Sequence, residues 1–255
     1  MELSFSDYIL LWISAFAGGF IDSIAGGGGI ITIPVLLAVG LDPHMALGTN
    51  KLQASFGSCT ASIHYARSDL VDVKQTIEGV IFTAIGAAIG TITIQQIDAA
   101  FLRQALPVLL TVIFFYMLFS PNLGKLDVHP VVHPFLFYLT AGLGIGFYDG
   151  FFGPGTGSFW TIAFVVFMGL NLKKATAHTK IMNATSNIIA LVAFIFGGKV
   201  IFIAGIVMGS AQLLGATLGS HMVIRRGTKF VRIFFLCVVA ITIAKLIYST
   251  YFQAE

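Results

Sequence analysis

GGFIDSIAGGGGIITIPVLL, residues 18–37, interrupts an apolar segment with an aspartate and then four consecutive glycines. Glycine weakens a helix, and a carboxylate in apolar surroundings is costly without a partner. Something must be gained locally where both are kept. The composition of the whole chain narrows down what.

Of 255 residues, 57% are hydrophobic and 10% are charged, where a soluble domain carries about 25% charged residues. The mean hydropathy is +0.93. Apolar segments run over 8–24, 30–41, 45–66, 76–97, 101–119, 135–152, 158–168, 175–196, 201–222 and 230–252. Many approach the roughly 20 residues that cross a bilayer as a helix, so the expected class is an all-α, polytopic membrane protein. The opening MELSFSD is acidic, unlike the basic start of a cleavable leader. Cys59 and Cys237 stand alone in apolar segments and read as packing thiols.

The chain repeats itself. Gly19, Phe20, Asp22, Gly26 and Gly28 recur as Gly146, Phe147, Asp149, Gly153 and Gly155, all 127 positions on. The offset then becomes 129, pairing Gly40 with Gly169, Lys51 with Lys180, Val71 with Val200 and Arg103 with Arg232. Glycine pairs alone prove little, but aspartate, lysine and arginine in one register point to duplication. The expected organisation is a first membrane repeat over 1–120, a linker over 121–134 and a second repeat over 135–255.

Each repeat opens on a broken segment, AGGGG in the first copy and GPGTG in the second. Unwound backbone at membrane depth survives only when buried in protein or lining a wet cavity. Residues 8–41 would span about 51 Å as one helix, too long for a single crossing. If each broken segment crosses once, the loop cations divide seven against four. If each turns back as a re-entrant hairpin, Arg67, Lys74, Lys125, Lys173, Lys174, Arg225, Arg226, Lys229 and Arg232 share one side, leaving Arg103 and Lys199 opposite. Nine against two is the better separation. It favours two inverted repeats, each with a glycine-broken hairpin plus about three transmembrane helices.

The half-helices after the breaks offer free N–H groups and a positive dipole end to an anion. Gly26, Gly27, Gly28 and Gly29 form the first such candidate site, and Gly153, Gly155, Thr156, Gly157 and Ser158 the second. The alternative is that these glycines only permit close packing. Beside each break lies a polar helix, ALGTNKLQASFGS and KATAHTKIMNATSN. Thr49, Asn50, Lys51 and Gln53 from the first, with His178, Thr179, Lys180, Asn183 and Asn187 from the second, are candidate substrate contacts. Lys51 and Lys180 either neutralise the anion or snorkel to an interface. Asp22 and Asp149 either carry a coupled proton or cap the glycine turn. GAAIG and GATLG read as close helix packing. His129 and His133 sit in a proline-rich loop, and no metal site or cofactor is expected.

GGFIDSIAGGGGIITIPVLLAVGLDPHMALGTNKLQASFGSCTA and GFYDGFFGPGTGSFWTIAFVVFMGLNLKKATAHTKIMNATSN together closely resemble the TauE/SafE family of sulfite exporters. The resemblance spans essentially the whole chain. It implies a multi-pass carrier of the bacterial inner membrane, moving sulfite or an organosulfur anion by secondary, proton-coupled transport. The residues themselves indicate an anion without singling out sulfur. A passive anion channel is the alternative, though it has no need of the two aspartates. No nucleophile-elbow sequence supports an enzyme. Scattered basic residues exclude a nucleic-acid function, which leaves a small anion and the lipid bilayer as partners. Glycine-rich helix faces suit a homodimer.

Overall fold

The computed structural model describes residues 3–71, 76–102, 104–106, 108, 109, 112 and 129–226. Expected spans 101–119 and 230–252, the linker, Cys237 and the cations Lys74, Arg103, Lys125, Lys229 and Arg232 lie wholly or partly outside these residues. The described elements are helical, with no strand among them. They are α1 (Phe5–Ala25), α2 (Gly29–Ala38), α3 (Pro43–Ala66), α4 (Ile77–Gln95), α5 (Pro134–Phe137), a π-helical turn (Tyr138–Gly142), α6 (Leu143–Phe151), α7 (Thr156–Met168), α8 (Leu172–Phe196) and α9 (Phe202–Arg226). Segments Phe5–Ile24, Ile77–Gln95, Leu172–Phe196 and Phe202–Arg225 are long and apolar enough to cross a membrane.

Local chemistry sets the helix starts. Ser4 and Asp7 close a capping box on α1. The Asp42 carboxylate accepts from His44 N at 3.0 Å to start α3, with Pro43 in the first turn. Asn171 starts α8 by accepting from the backbone N–H groups of Lys173 and Lys174, each at 3.1 Å. Its position is 129 after Asp42. The expected starts at 45 and 175 are therefore two and three residues late. Hydropathy alone sets the boundary inside the polar caps, because the capping residues are not apolar.

Both broken segments turn back. Run on as one helix, Gly18 and Thr32 would lie about 21 Å apart. Instead a Cβ added at Gly18 would stand 2.9 Å from Thr32 Cγ2, so α2 folds along α1. Phe137 and Phe164 would be about 40 Å apart in a continuous helix. Their ring centroids are 5.2 Å apart, and α7 returns along the helical stretch that precedes the break. Trp160, stacked on Phe164 at 5.3 Å, completes an aromatic core inside this second hairpin.

The breaks use left-handed backbone, with φ of 78° at Gly26, 105° at Gly27, 98° at Gly153 and 82° at Gly155. An L side chain is disfavoured at each. Thr32 Oγ1 donates to Gly28 O, and Thr161 Oγ1 makes the same bond to Gly157 O, 129 positions on. Gly28 thus corresponds to Gly157 rather than to Gly155. The two extra residues fall inside the second break, at Pro154–Gly155, and not after it.

Packing is reciprocal between the halves. α1 lies along α9 and α4 along α6, while α3 packs on α8 and α9, and α4 on α8. At the first two interfaces backbones approach closely. A Cβ at Gly215 of GATLG would fall 2.2 Å from Phe16 O, and one at Gly90 of GAAIG 2.1 Å from Phe147 O. Both motifs are packing seams. α3 and α8 run antiparallel, since Gly48 abuts Phe194 while Lys51 reaches Asn187. On the outer face of α4, Ile81, Ile85, Ile89 and Ile92 are exposed, as a lipid-facing surface requires. His133 accepts from Phe135 N at 3.3 Å and caps α5.

Candidate functional site

The hairpin tips meet backbone to backbone. A Cβ at Gly26 would lie 2.6 Å from Gly157 Cα, and one at Gly157 the same distance from Gly26 Cα. Only glycine at both positions permits this contact. Around it lie Asn50, Lys51 and Gln53 of α3 with Asn183 and Asn187 of α8.

Four charges converge there by exchange between the halves. Lys51 of α3 donates to Asp149 of the second hairpin, at 2.6 Å to Oδ1 and 2.5 Å to the backbone oxygen. It also reaches Asn187 Oδ1 at 3.3 Å. Lys180 of α8 donates to the backbone oxygen of Asp22 in the first hairpin, and to its Oδ2 at 3.2 Å. The lysine side chains are 2% and 1% exposed, which excludes snorkelling. Two ammonium groups and two carboxylates sum to zero, and each buried charge has a partner, as desolvation demands.

The pairs differ in tightness. Asp149 is 4% exposed, and Ser186 donates to its second oxygen. Asp22 is 18% exposed, and its Oδ1 accepts from Gly27 N at 3.2 Å and Gly28 N at 3.5 Å. The first carboxylate therefore occupies N–H groups of the glycine turn, the donors that an anion would use.

A polar cavity of about 30 Å³ lies at this junction. That is room for about two waters on a measure where one needs 10–15 Å³. A polyatomic anion enters only if its walls move. Asp22, Gly27, Gly28, Gly29, Asn50, Lys51 and Gln53 line one part of it. Asp149, Gly153, Thr156, Gly157, Asn183 and Asn187 line the rest, joined by Ala54 and Gln212.

The other sequence candidates lie off the cavity wall. Gly26 makes the backbone contact with Gly157, and Gly155 supplies the left-handed turn. Lys180 backs the cavity through Asp22. Thr179 hydrogen-bonds Thr161 at 3.1 Å, and Thr49 Oγ1 accepts from Ile201 N at 3.0 Å, tying α3 to the start of α9. The backbone N–H of Ser158 closes the first turn of α7 on Gly155 O. His178 packs against Phe164, with ring centroids 5.4 Å apart. On the wall itself, Asn50 accepts from Thr32 at 2.6 Å, which fixes α2 against α3, and from Gln53 at 2.8 Å.

Sequence reasoning missed two features. One is the exchange of partners, whose only trace is that an aspartate and a lysine recur in register, Asp22 and Lys51 in one repeat and Asp149 and Lys180 in the other. The other is Gln212, a single amide within the apolar span 201–222. A polar group inside a membrane helix is the signal that was available.

Apolar spanning helices, two broken hairpins meeting tip to tip and a buried, charge-paired cavity between them characterise a polytopic helical membrane transporter. Residues 11–246 match the family described as Sulfite exporter TauE/SafE, and the chain belongs to that family. It is 47% identical over 244 residues to "Probable membrane transporter protein YfcA" of Escherichia coli (strain K12), covering 96% of this chain and 91% of that one. A "Probable membrane transporter protein" of Haemophilus influenzae is 42% identical over 249 residues, 98% of each chain. "Probable membrane transporter protein YunE" of Bacillus subtilis is 24% identical over 277 residues, covering 96% and 99%. No solved structure matches the chain.

Proposed function

We propose that the protein is a secondary carrier of the bacterial inner membrane for a small sulfur-containing anion, sulfite or an organosulfur acid, moved together with a proton. The observation that carries this reading is the reciprocal pairing of Lys51 with Asp149 and Lys180 with Asp22. A buried site of zero net charge accepts a lone anion poorly. Protonating Asp22 leaves the Lys180 ammonium without its counter-charge and releases the amides of Gly27 and Gly28. One negative charge then restores the balance. Proton and anion enter together for electrostatic reasons.

The antiparallel course of α3 and α8, at corresponding positions of the two halves, supports inverted repeats over 1–120 and 135–255. The family name supplies the sulfur preference; the cavity supplies an anion. The test is transport in proteoliposomes against sulfite, thiosulfate, sulfoacetate, taurine and lactate. The expected result is saturable movement of a sulfur anion, accelerated by a proton gradient in wild type and insensitive to it in Asp22→Asn. Lys51→Met/Asp149→Asn, which keeps the site neutral, is expected to insert and to lose transport. A proton-dependent Asp22→Asn would remove the coupling role, and unitary currents would replace the carrier with a channel.

A further inference from the structure

The structure assigns Gln212 of α9 as a specificity-determining contact for the anion, a hydrogen-bond donor to one of its oxygens. This rests on the anion-carrier reading and deepens it. Gln212 lines the cavity and is 1% exposed, and its carbonyl oxygen has no hydrogen-bond partner. The same holds for Asn183 across the cavity, 4% exposed. Among the described residues, both of these carbonyl oxygens stand buried and unpaired. Buried polar atoms are ordinarily satisfied, and two unpaired amide oxygens in one polar cavity call for a ligand.

Gly57 makes room for this side chain and Gly19 for the backbone that carries it, while Gly18 lies in ordinary contact with the amide. A Cβ at Gly57 would lie 2.6 Å from Gln212 Cγ, one at Gly19 2.5 Å from its backbone oxygen, and one at Gly18 3.6 Å from Oε1. The positions 129 residues away reverse the pattern. Opposite Gln212 stands Thr83, whose hydroxyl rests 3.4 Å from Met182 Sδ. Where α3 has Gly57, α8 has Ser186, which caps Asp149. One half is filled and sealed around its carboxylate, whereas the half holding Asp22 keeps space and an unpaired amide oxygen.

An unpaired carbonyl oxygen cannot serve an anion, but turning either amide over by 180° puts its NH2 in that place, and donors from α8 and α9 then suit an anion with several oxygens. A carboxylate in the same place repels it. The experiment is binding of sulfite and thiosulfate to the purified full chain, by thermal shift and calorimetry. Variants are Gln212→Glu, nearly isosteric, and Gln212→Met, which keeps the volume without a donor. Gln212→Met is expected to weaken binding about tenfold or more, the scale of one hydrogen bond to a charge, and Gln212→Glu to weaken it further. If Gln212→Glu does not fold, loss of sulfite-induced stabilisation in Gln212→Met decides. Wild-type affinity in Gln212→Met would overturn the assignment while leaving the carrier reading standing. A wild-type protein that binds neither anion would overturn the assignment, and one that also moves no anion of the transport panel would overturn the carrier reading.

Discussion

Removing the Lys51 ammonium while keeping Asp149 strands a carboxylate in a site with almost no solvent. Breaking a buried pair from one side costs about 3–5 kcal/mol, whereas removing both partners is far milder. Lys51→Met is therefore expected to lower the unfolding temperature in detergent sharply, and Lys51→Met/Asp149→Asn to recover most of the loss. A double variant no more stable than the single one would mean that the pair is not coupled. Lys180 and Asp22 should show a smaller contrast, because Asp22 is more exposed and keeps its bonds to Gly27 and Gly28. Repeat register alone singles out the lysines and aspartates as candidates, with snorkelling and capping as the alternatives; the structure buries both lysines. Their partners were not legible, because the pairing joins opposite halves and leaves no local spacing to read.

At the scale of elements, the hairpins follow from glycine, Pro154 and the distribution of loop cations, all visible in the sequence. Helix starts at Asp42 and Asn171 were readable as caps but lay beyond a hydropathy boundary. The contact of Gly26 with Gly157 was not readable, since neighbouring glycines share the same composition and only the folded tips distinguish them. It gives a sharp contrast between two substitutions. Gly157→Ala adds a Cβ 2.6 Å from Gly26 Cα and should separate the tips, with loss of anion binding. Gly144→Ala, in α6, meets nothing within 4 Å and removes a weak helix former, so it should be neutral or slightly stabilising. Equal behaviour of the two in a binding and thermal-unfolding assay would remove the tip contact from the site.

For the whole molecule, α3 and α8 run in opposite directions, which puts Ser68 and Lys199 at opposite ends of the packed pair. In a cysteine-free background, Ser68→Cys and Lys199→Cys should label from opposite faces of the membrane with an impermeant maleimide. Nine of the eleven loop cations counted above fall on the Ser68 side, so that face should be cytoplasmic. Labelling of both from one face would reject the inverted arrangement. The cancelled charge of the buried cluster also has a consequence for membrane voltage. Each uncompensated charge crossing the bilayer exchanges about 2.3 kcal/mol with the field per 100 mV. A neutral cluster loaded with one proton and a univalent sulfonate exchanges none. Its flux in liposomes clamped with potassium and valinomycin should stay flat as the potential is varied, while a divalent anion carried with one proton should respond. A univalent flux that follows the potential would show that the cluster carries charge during the cycle.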